Sequence, residues 1–568
     1  MNLNLNPFFK GYKIREDYLS FYIFGPNNTP RLRADAAEQI HGLPQTPYLG
    51  VNINDLPPEV LQIIFTLLHN DICYLAIPYV EYQPIPFCPL NLFAVPWTLR
   101  RICRRWRRIA EDIRALWRDV AWSSKWSAGS PPDVQKHADS LLDEWIGYAL
   151  RTSTGSDIHD HSGLTLNICF HSPDPVYLDF ELDVLTSFMS HSNVWKHADF
   201  TISPEYLPTL SGIKGHLDNL QALRLDCVVD PKDDQGKPQP AIEEKRTNHL
   251  RWLMDNDDNV RTMWEVAPKL ETIILVNYSM KTANDCVFPW WQLQRFEMNW
   301  APGCDWAGIL RKARHLQTAR FINRGERGET FPAGTLKHES LVELNFRVAG
   351  EDLGYGGQGT RELNSLILPN LQRLRIIDST MLPAFAYHTP FAPARQLVER
   401  SNCPLRCLFL TGTARFNDVR EWRDLMLSVG NTLVFLSMDL TNKTRSFTRA
   451  TLKLLETGII DLNCKMTPPV VLLPRLRELE LTYFAPSEKL PNRDRMPPGS
   501  CMDLDWVITL AEVRTVKQPK TNNGISYAKL KTVGVGLDGM TEEQKLRIEK
   551  LKEVGTIFEQ RHWQPLAL

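Results

Sequence analysis

The chain has no surplus of charge of either sign. Its 65 lysines and arginines against 66 aspartates and glutamates leave a net charge of -1. No whole-molecule field therefore draws it to nucleic acid, and any charge-driven partner has to meet a local patch. It also lacks an uncharged apolar run of about 18 residues, the least that crosses a bilayer as a helix. Its start, MNLNLNPFFKGYKIRED, lacks the basic-then-apolar order of a secretory signal. The 11 cysteines form no paired CxxC motifs, so reduced thiols packed as small apolar groups are expected, in a cytoplasmic or nuclear compartment. A phosphate loop ending in GK[ST], an HExxH motif and a GxSxG turn are missing too. With those signatures absent, the expectation is a non-catalytic protein that uses no cofactor or metal and binds neither nucleic acid nor membrane.

What the sequence does hold is material for a large core. Of 568 residues, 43% are apolar and 10% aromatic, far from the low-hydrophobicity composition of disordered chains. That length suits three or four ordinary domains or one long repetitive array. A repeat is present. The pattern apolar-x-x-apolar-x-apolar begins eleven times, at Trp195, Leu220, Leu270, Leu293, Leu316, Leu341, Leu371, Leu405, Leu433, Leu476 and Leu530. Most intervals lie near the 20 to 30 residues of a leucine-rich repeat.

The spacing has a physical reason. The second and third anchors are two apart and so point to one face of a strand, while the first covers the turn leading in. Amphipathic helical stretches such as 178 to 190 and 305 to 315 fall between motifs, and prolines often precede them, as at Pro289, Pro404 and Pro474. A single coil cannot bury its own apolar face, whereas stacked coils can. The expected fold is α/β: a curved solenoid over 161 to 540, with parallel strands on its concave face and helices on its convex face. A helix over 130 to 151, within a connector at 123 to 160, would join it to the module upstream, and a helix and tail would follow at 541 to 568.

That upstream module, 51 to 122, has its own texture. In DLPPEVLQIIFTLL (55 to 68) prolines and Glu59 stand where a helix begins. Val60, Leu61, Ile63, Ile64, Phe65, Leu67 and Leu68 then cover an arc of about 200°, twice what a surface helix needs. Only Glu59, Gln62 and Thr66 are polar. A helix that apolar requires two burying surfaces, and the second is expected to be another protein. Residues 98 to 122, TLRRICRRWRRIAEDIRALWRDVAW, place Ile102, Trp106, Ile109, Ile113, Leu116 and Trp117 at helical spacing, with Arg100, Arg101, Arg104, Arg105, Arg107 and Arg108 expected on a solvated face.

These residues resemble the F-box, whose family pattern runs Leu-Pro-x-Glu-apolar-Leu, then Val-Cys-Arg-x-Trp-Arg, then Leu-Trp. The matches are Leu56, Pro57, Glu59, Val60, Leu61, Ile64, Phe65, Ile102, Cys103, Arg105, Trp106, Arg107, Leu116 and Trp117. A proline-rich insertion at 70 to 97 is longer than the family's usual loop. Together with degenerate repeats, the chain resembles the large F-box families of fungi. The resemblance implies that Leu56, Pro57, Glu59, Val60, Leu61, Ile64, Phe65, Ile102, Cys103, Trp106, Leu116 and Trp117 dock a Skp-type adaptor. Through it they would meet a cullin scaffold, as in the substrate-recognition subunit of an SCF-type ubiquitin ligase. The alternative is a leucine-rich-repeat interaction scaffold without ligase association.

On the strands, the residues beside the anchors face the other way. Arg295, Arg320, Arg347, Arg373 and Arg375 fall there in consecutive coils. They are candidates for gripping an acidic or phosphorylated peptide, or else members of a charge ladder balanced by Glu297 and Glu343. Gly354-Tyr-Gly356-Gly-Gln-Gly359 imitates a dinucleotide fingerprint, but it sits inside the repeat register with only a short helix after it. His159, His161 and His171 lack the matching cysteines or carboxylates of a metal site.

Overall fold

The computed structural model of the chain describes residues 53–75, 94–123, 137–150, 163–170, 178–227, 250, 253, 256–278, 286–301, 306–323, 335–348, 363–378, 391–412, 418–439, 445–457, 459–460, 470–482, 504–517, 528–535 and 540–560. The chain falls into two compact units, 1–63 and 64–568, and each is taken by itself. The extension at 1 to 50, the glycine motif at 354 to 359 and His159, His161 and His171 lie outside the described residues.

In the first unit, a single turn at Ile53–Asp55 leads into helix α1, Pro58–Leu75, which carries Glu59 in its first turn and whose residues from Ile64 on belong to the second unit. Proline and a carboxylate suit that end, where no intrahelical partner is needed for the first N–H groups and the helix dipole is positive. The helix runs on to Leu75, well past the 68 the sequence suggested and into the expected insertion.

In the second unit one parallel sheet dominates. Its strands are β1 Asp119–Ser123, β2 Leu164–Phe170, β3 Trp195–Ile202, β4 Ala222–Asp226, β5 Thr272–Val276, β6 Arg295–Ala301, β7 Thr318–Asn323, β8 Glu343–Val348, β9 Arg373–Asp378, β10 Cys407–Gly412, β11 Phe435–Asp439, β12 Glu478–Thr482, β13 Thr532–Val535 and β14 Ile557–Gln560, paired in chain order. Such an order, each coil laid against the next, is consistent with a leucine-rich-repeat solenoid. The anchors explain it. Leu344, Leu374, Leu408 and Leu436 stand opposite one another across β8 to β11, and every described anchor side chain of the eleven motifs is at most 5% exposed.

A second device holds the coils in register. The residue after the first anchor turns its carbonyl toward the next coil, where it accepts two backbone N–H groups. The Gln294 carbonyl takes those of Gln317 and Thr318, and the Gln372 carbonyl those of Arg406 and Cys407. The turn between coils thereby leaves few backbone groups unsatisfied.

Helices lie between the strands: α2 Val95–Ile102 and α3 Arg104–Asp112 before β1, α4 Ala138–Leu150, α5 Leu178–Met189, α6 Asp258–Thr262, α7 Trp306–Lys312, α8 Phe391–Ser401, α9 Val419–Val429, α10 Arg445–Thr457, α11 Leu504–Glu512 and α12 Glu542–Glu553. From α8 to α12 each packs on its neighbour. On both sides of β8 the return path instead forms a small parallel bridge, Leu336–Lys337 with Leu366–Ile367.

The ladder overruns the expected limits of 161 to 540 at both ends. Trp117, Val120 and Trp122 are spaced as a further set of anchors and are buried, with Val120 and Trp122 opposite Leu166 and Ile168. The segment expected to continue as a helix through 122 is therefore a strand at its end. It is also broken earlier, at Cys103, whose extended backbone separates α2 from α3 while its sulfur accepts the Trp106 N–H at 3.4 Å. The coils of β2 and β14 carry glycine, Gly163 and Gly555, at the first-anchor position just before the strand. A Cβ at Gly163 would stand 2.7 Å from the Cβ of Lys196, and Gly555 has φ of 91°, which glycine adopts without steric cost.

An aromatic cage seats the helices on the first strand. Trp117, Trp97 and Trp145 meet edge to face with centroids 5.1 to 5.7 Å apart. The Trp145 indole N–H donates to the Trp117 carbonyl at 2.7 Å, and that of Trp117 to the Ala110 carbonyl at 2.8 Å. Arg100 lies over Trp97 and Tyr148 and pairs with Glu111 and Glu144, each at 2.9 Å. It belongs to this cage, so the arginine cluster is not wholly the solvated face expected of it. α4, expected as a connector, is likewise part of the cage.

Candidate functional site

Two surfaces stand out, and the first is on α1. Leu61, Phe65 and His69 recur at four-residue spacing and are buried. The Phe65 ring lies on Trp106 at 4.9 Å, and His69 reaches Asp119 at 3.7 Å. Burial pushes the Asp119 carboxyl up, but the neighbouring His69 ring and the charge of Arg118 outweigh it and hold the group below its ordinary range. On the other side of the helix, Val60, Ile63 and Leu67 are 38%, 61% and 55% exposed. Their spacing of three and four puts them on one stripe.

The residues matched to the F-box pattern thus divide. Pro57, Glu59, Val60 and Ile102 are exposed, and Leu56, Ile64 and Cys103 half-buried. Leu61, Phe65, Trp106, Leu116 and Trp117 are interior; as they stand they pack the module and do not line its surface. Ile63 and Leu67, which belonged to the apolar arc but not to the family match, are the most exposed. Apolar width signalled them; which half of the arc faces outward was not legible.

The second surface is the face of the sheet opposite the anchors. Its first part is self-neutralised: Arg224 on β4 donates to Asp199 on β3 at 3.0 and 3.1 Å and to Asp226 at 3.3 Å. Burial raises both carboxyls while Arg224 opposes it. Further along, Arg295 is bonded to Glu297, and Arg373 stands 3.7 Å from Glu343. Those two arginines are ladder members, as the balanced reading expects. Arg347 lies on β8 opposite Ile377, and its side chain is outside the described set.

Arg320 and Arg375 differ. Arg320 stands 3.6 Å from Glu297, as close as Arg373 to Glu343, but it is only 22% exposed and its buried Nε has no hydrogen-bond partner among the described residues. Arg375 lies over the Phe409 ring at 4.6 Å, and Phe409 meets Phe435 at 4.8 Å. Burial, with repulsion from Arg320, lowers the pKa of Arg375 against the opposing charges of Glu343 and Glu480.

Elsewhere, the residues leading into β6, β7, β8 and β9 form an open groove of about 710 Å³ around the exposed Trp291, with Gln294, Gln317 and Gln372 in its wall. The described cysteines are free thiols, and burial pushes that of Cys403 up to about 11. Among the described residues there is no cluster of metal-ligating groups and no helix long and apolar enough to cross a membrane.

No family model matches the chain, and no curated protein matches it. Solved structures give faint similarity. A leucine-rich-repeat protein of Leptospira interrogans is 12% identical over 79% of this chain and 91% of its own, with a TM-score of 0.21. A Bacteroides fragilis protein is 9% identical over 64% of this chain and 74% of its own, with a TM-score of 0.29. Similarity that faint carries no argument, and the repeat fold rests on the anchors and the strand order.

Proposed function

We propose that this chain is a non-catalytic receptor. In this reading the outer stripe of α1 docks a Skp-type adaptor of a cullin-based ubiquitin ligase, and the sheet face opposite the anchors captures a protein partner. The observation that carries it is the outward exposure of Val60, Ile63 and Leu67 on a helix whose opposite side is already buried. Three apolar side chains held in water on one stripe are the usual mark of a protein-binding surface. The F-box resemblance supplies the identity of the occupant. Capture by the sheet face follows from its many protruding side chains on a rigid ladder, the arrangement through which repeat proteins bind.

The test is co-purification of the full chain with a Skp-type adaptor. Wild type should bring down stoichiometric adaptor, and Ile63→Asp with Leu67→Asp should abolish capture while leaving the unfolding midpoint within a few degrees. These positions serve better than Leu61, because a charge at a fully buried site unfolds the helix whatever its function.

A second reading is a repeat scaffold without ligase association. It is favoured by the interior placement of Leu61, Phe65, Trp106, Leu116 and Trp117, since a core requirement alone would select those residues. Under that reading wild type brings down no adaptor.

A further inference from the structure

Charge on the sheet face across β6 to β9 does not balance. Among the described side chains, Arg295, Arg320, Arg373 and Arg375 face Glu297 and Glu343 there, a surplus of two positive charges. Glu297 is engaged by Arg295, and Glu343 accepts from Asn345 and stands near Arg373. Arg373 is 61% exposed; the guanidiniums that both lack a hydrogen-bonded partner among the described residues and are partly withdrawn from water are Arg320 and Arg375.

They are placed to act together. Arg320, Asn345 and Arg375 lie directly opposite one another on β7, β8 and β9, which sets the two arginines about 10 Å apart at their backbones, with Asn345 between. Their stems are long enough to converge above it. Each keeps several N–H donors, and both are partly withdrawn from water, the setting in which an ionic hydrogen bond is strongest.

We propose that Arg320 and Arg375 form a clamp for the phosphomonoester group of a phosphorylated peptide, with Phe409 and Phe435 contacting the residues beside it. A carboxylate offers two oxygens and a single charge, which would leave half the surplus unmet. A phosphomonoester brings close to two negative charges at neutral pH and three acceptor oxygens, matching two guanidiniums. Arg375 is already braced over Phe409, so little side-chain freedom is lost on binding. This assignment rests on the reading that the sheet face is the capture surface; it does not depend on adaptor docking.

The test is fluorescence anisotropy of the full chain with labelled peptides carrying phosphoserine or phosphotyrosine, their unphosphorylated and glutamate counterparts, and inorganic phosphate as competitor. A phosphopeptide should bind at least about tenfold more tightly than its glutamate counterpart, and Arg320→Gln and Arg375→Gln should each weaken it by about tenfold. Arg375→Lys should recover only part of the loss, because a point charge cannot bind two oxygens at once. Arg224→Gln, which removes an arginine already paired, should leave binding within twofold. Equal binding of the glutamate or unphosphorylated peptide, or no effect of Arg320→Gln and Arg375→Gln in variants that unfold like wild type, overturns the clamp. Inorganic phosphate bound as tightly as the peptides overturns the assignment to a peptide. Phosphopeptide binding that persists in Ile63→Asp/Leu67→Asp chains while adaptor capture fails separates this inference from the docking reading.

Discussion

Arg514 offers a sharp test of how the carboxy-terminal coils are held together. Its side chain is 1% exposed, on a π-helical turn at Val513–Lys517 that follows α11. The guanidinium donates to the carbonyls of Leu455, Leu472 and Leu473 at 3.0, 3.1 and 3.1 Å. Leu455 lies in the last turn of α10, where carbonyls have no intrahelical partner and the helix dipole is negative. One arginine thus closes the end of a helix and ties it to the turn before β12. In Arg514→Met the stem remains but three buried carbonyls lose this donor, of which that of Leu473 keeps the Leu476 N–H. At about 1 to 3 kcal/mol for each of the two groups left unsatisfied the gross cost is about 2 to 6 kcal/mol. Part is recovered because a charge no longer has to be held out of water, so a net loss near 3 kcal/mol is expected. Urea unfolding would measure it, and amide exchange should show the last turn of α10 opening first. A loss under about 1 kcal/mol, or unchanged exchange over 445–457, would refute the account.

Two further outcomes follow from the same reasoning. Leu374→Ala, at a fully buried anchor, should destabilise by about 3 to 5 kcal/mol, whereas Thr318→Ala on the open face should stay within about 0.5 kcal/mol; similar costs at both would contradict the assignment of sheet faces. His338 is buried and donates Nε2–H to the Ala313 carbonyl at 3.0 Å, and burial lowers its pKa, a tendency the Ala313 bond opposes and His315 reinforces. Because the folded pKa lies below the unfolded one, its contribution is complete above the unfolded value near 6.5 and is lost as pH falls toward the folded value. Urea unfolding at pH 7.5 and 5.5 should show that decline, and His338→Gln should reduce it; an unchanged pH dependence in the variant would refute it.

The eleven anchors were legible because their spacing is a local property: two apart fixes a strand face, three before fixes the turn, and neither depends on distant residues. β2 and β14 escaped notice because their coils begin with Gly163 and Gly555, where an approaching backbone or a positive φ forbids the expected large residue. β1 was hidden in a helical pattern, since Ile113, Leu116, Trp117 and Val120 recur at the intervals of three and four that suit a helix. Charge told less. Five arginines in neighbouring coils looked equivalent on paper, but Arg295 is hydrogen-bonded to the glutamate two residues along its own strand while Arg320 and Arg375 lack such a bond.

Sequence by itself determined that this chain stacks coils and that one short helix carries more apolar surface than it can hide. Which half of that helix faces water, which arginines are spent on neighbours, and that Arg514 closes α10 from some 60 residues away were decided by tertiary structure. Periodicity is written in nearest neighbours along the chain, whereas exposure and ionic pairing depend on what the other coils bring into contact.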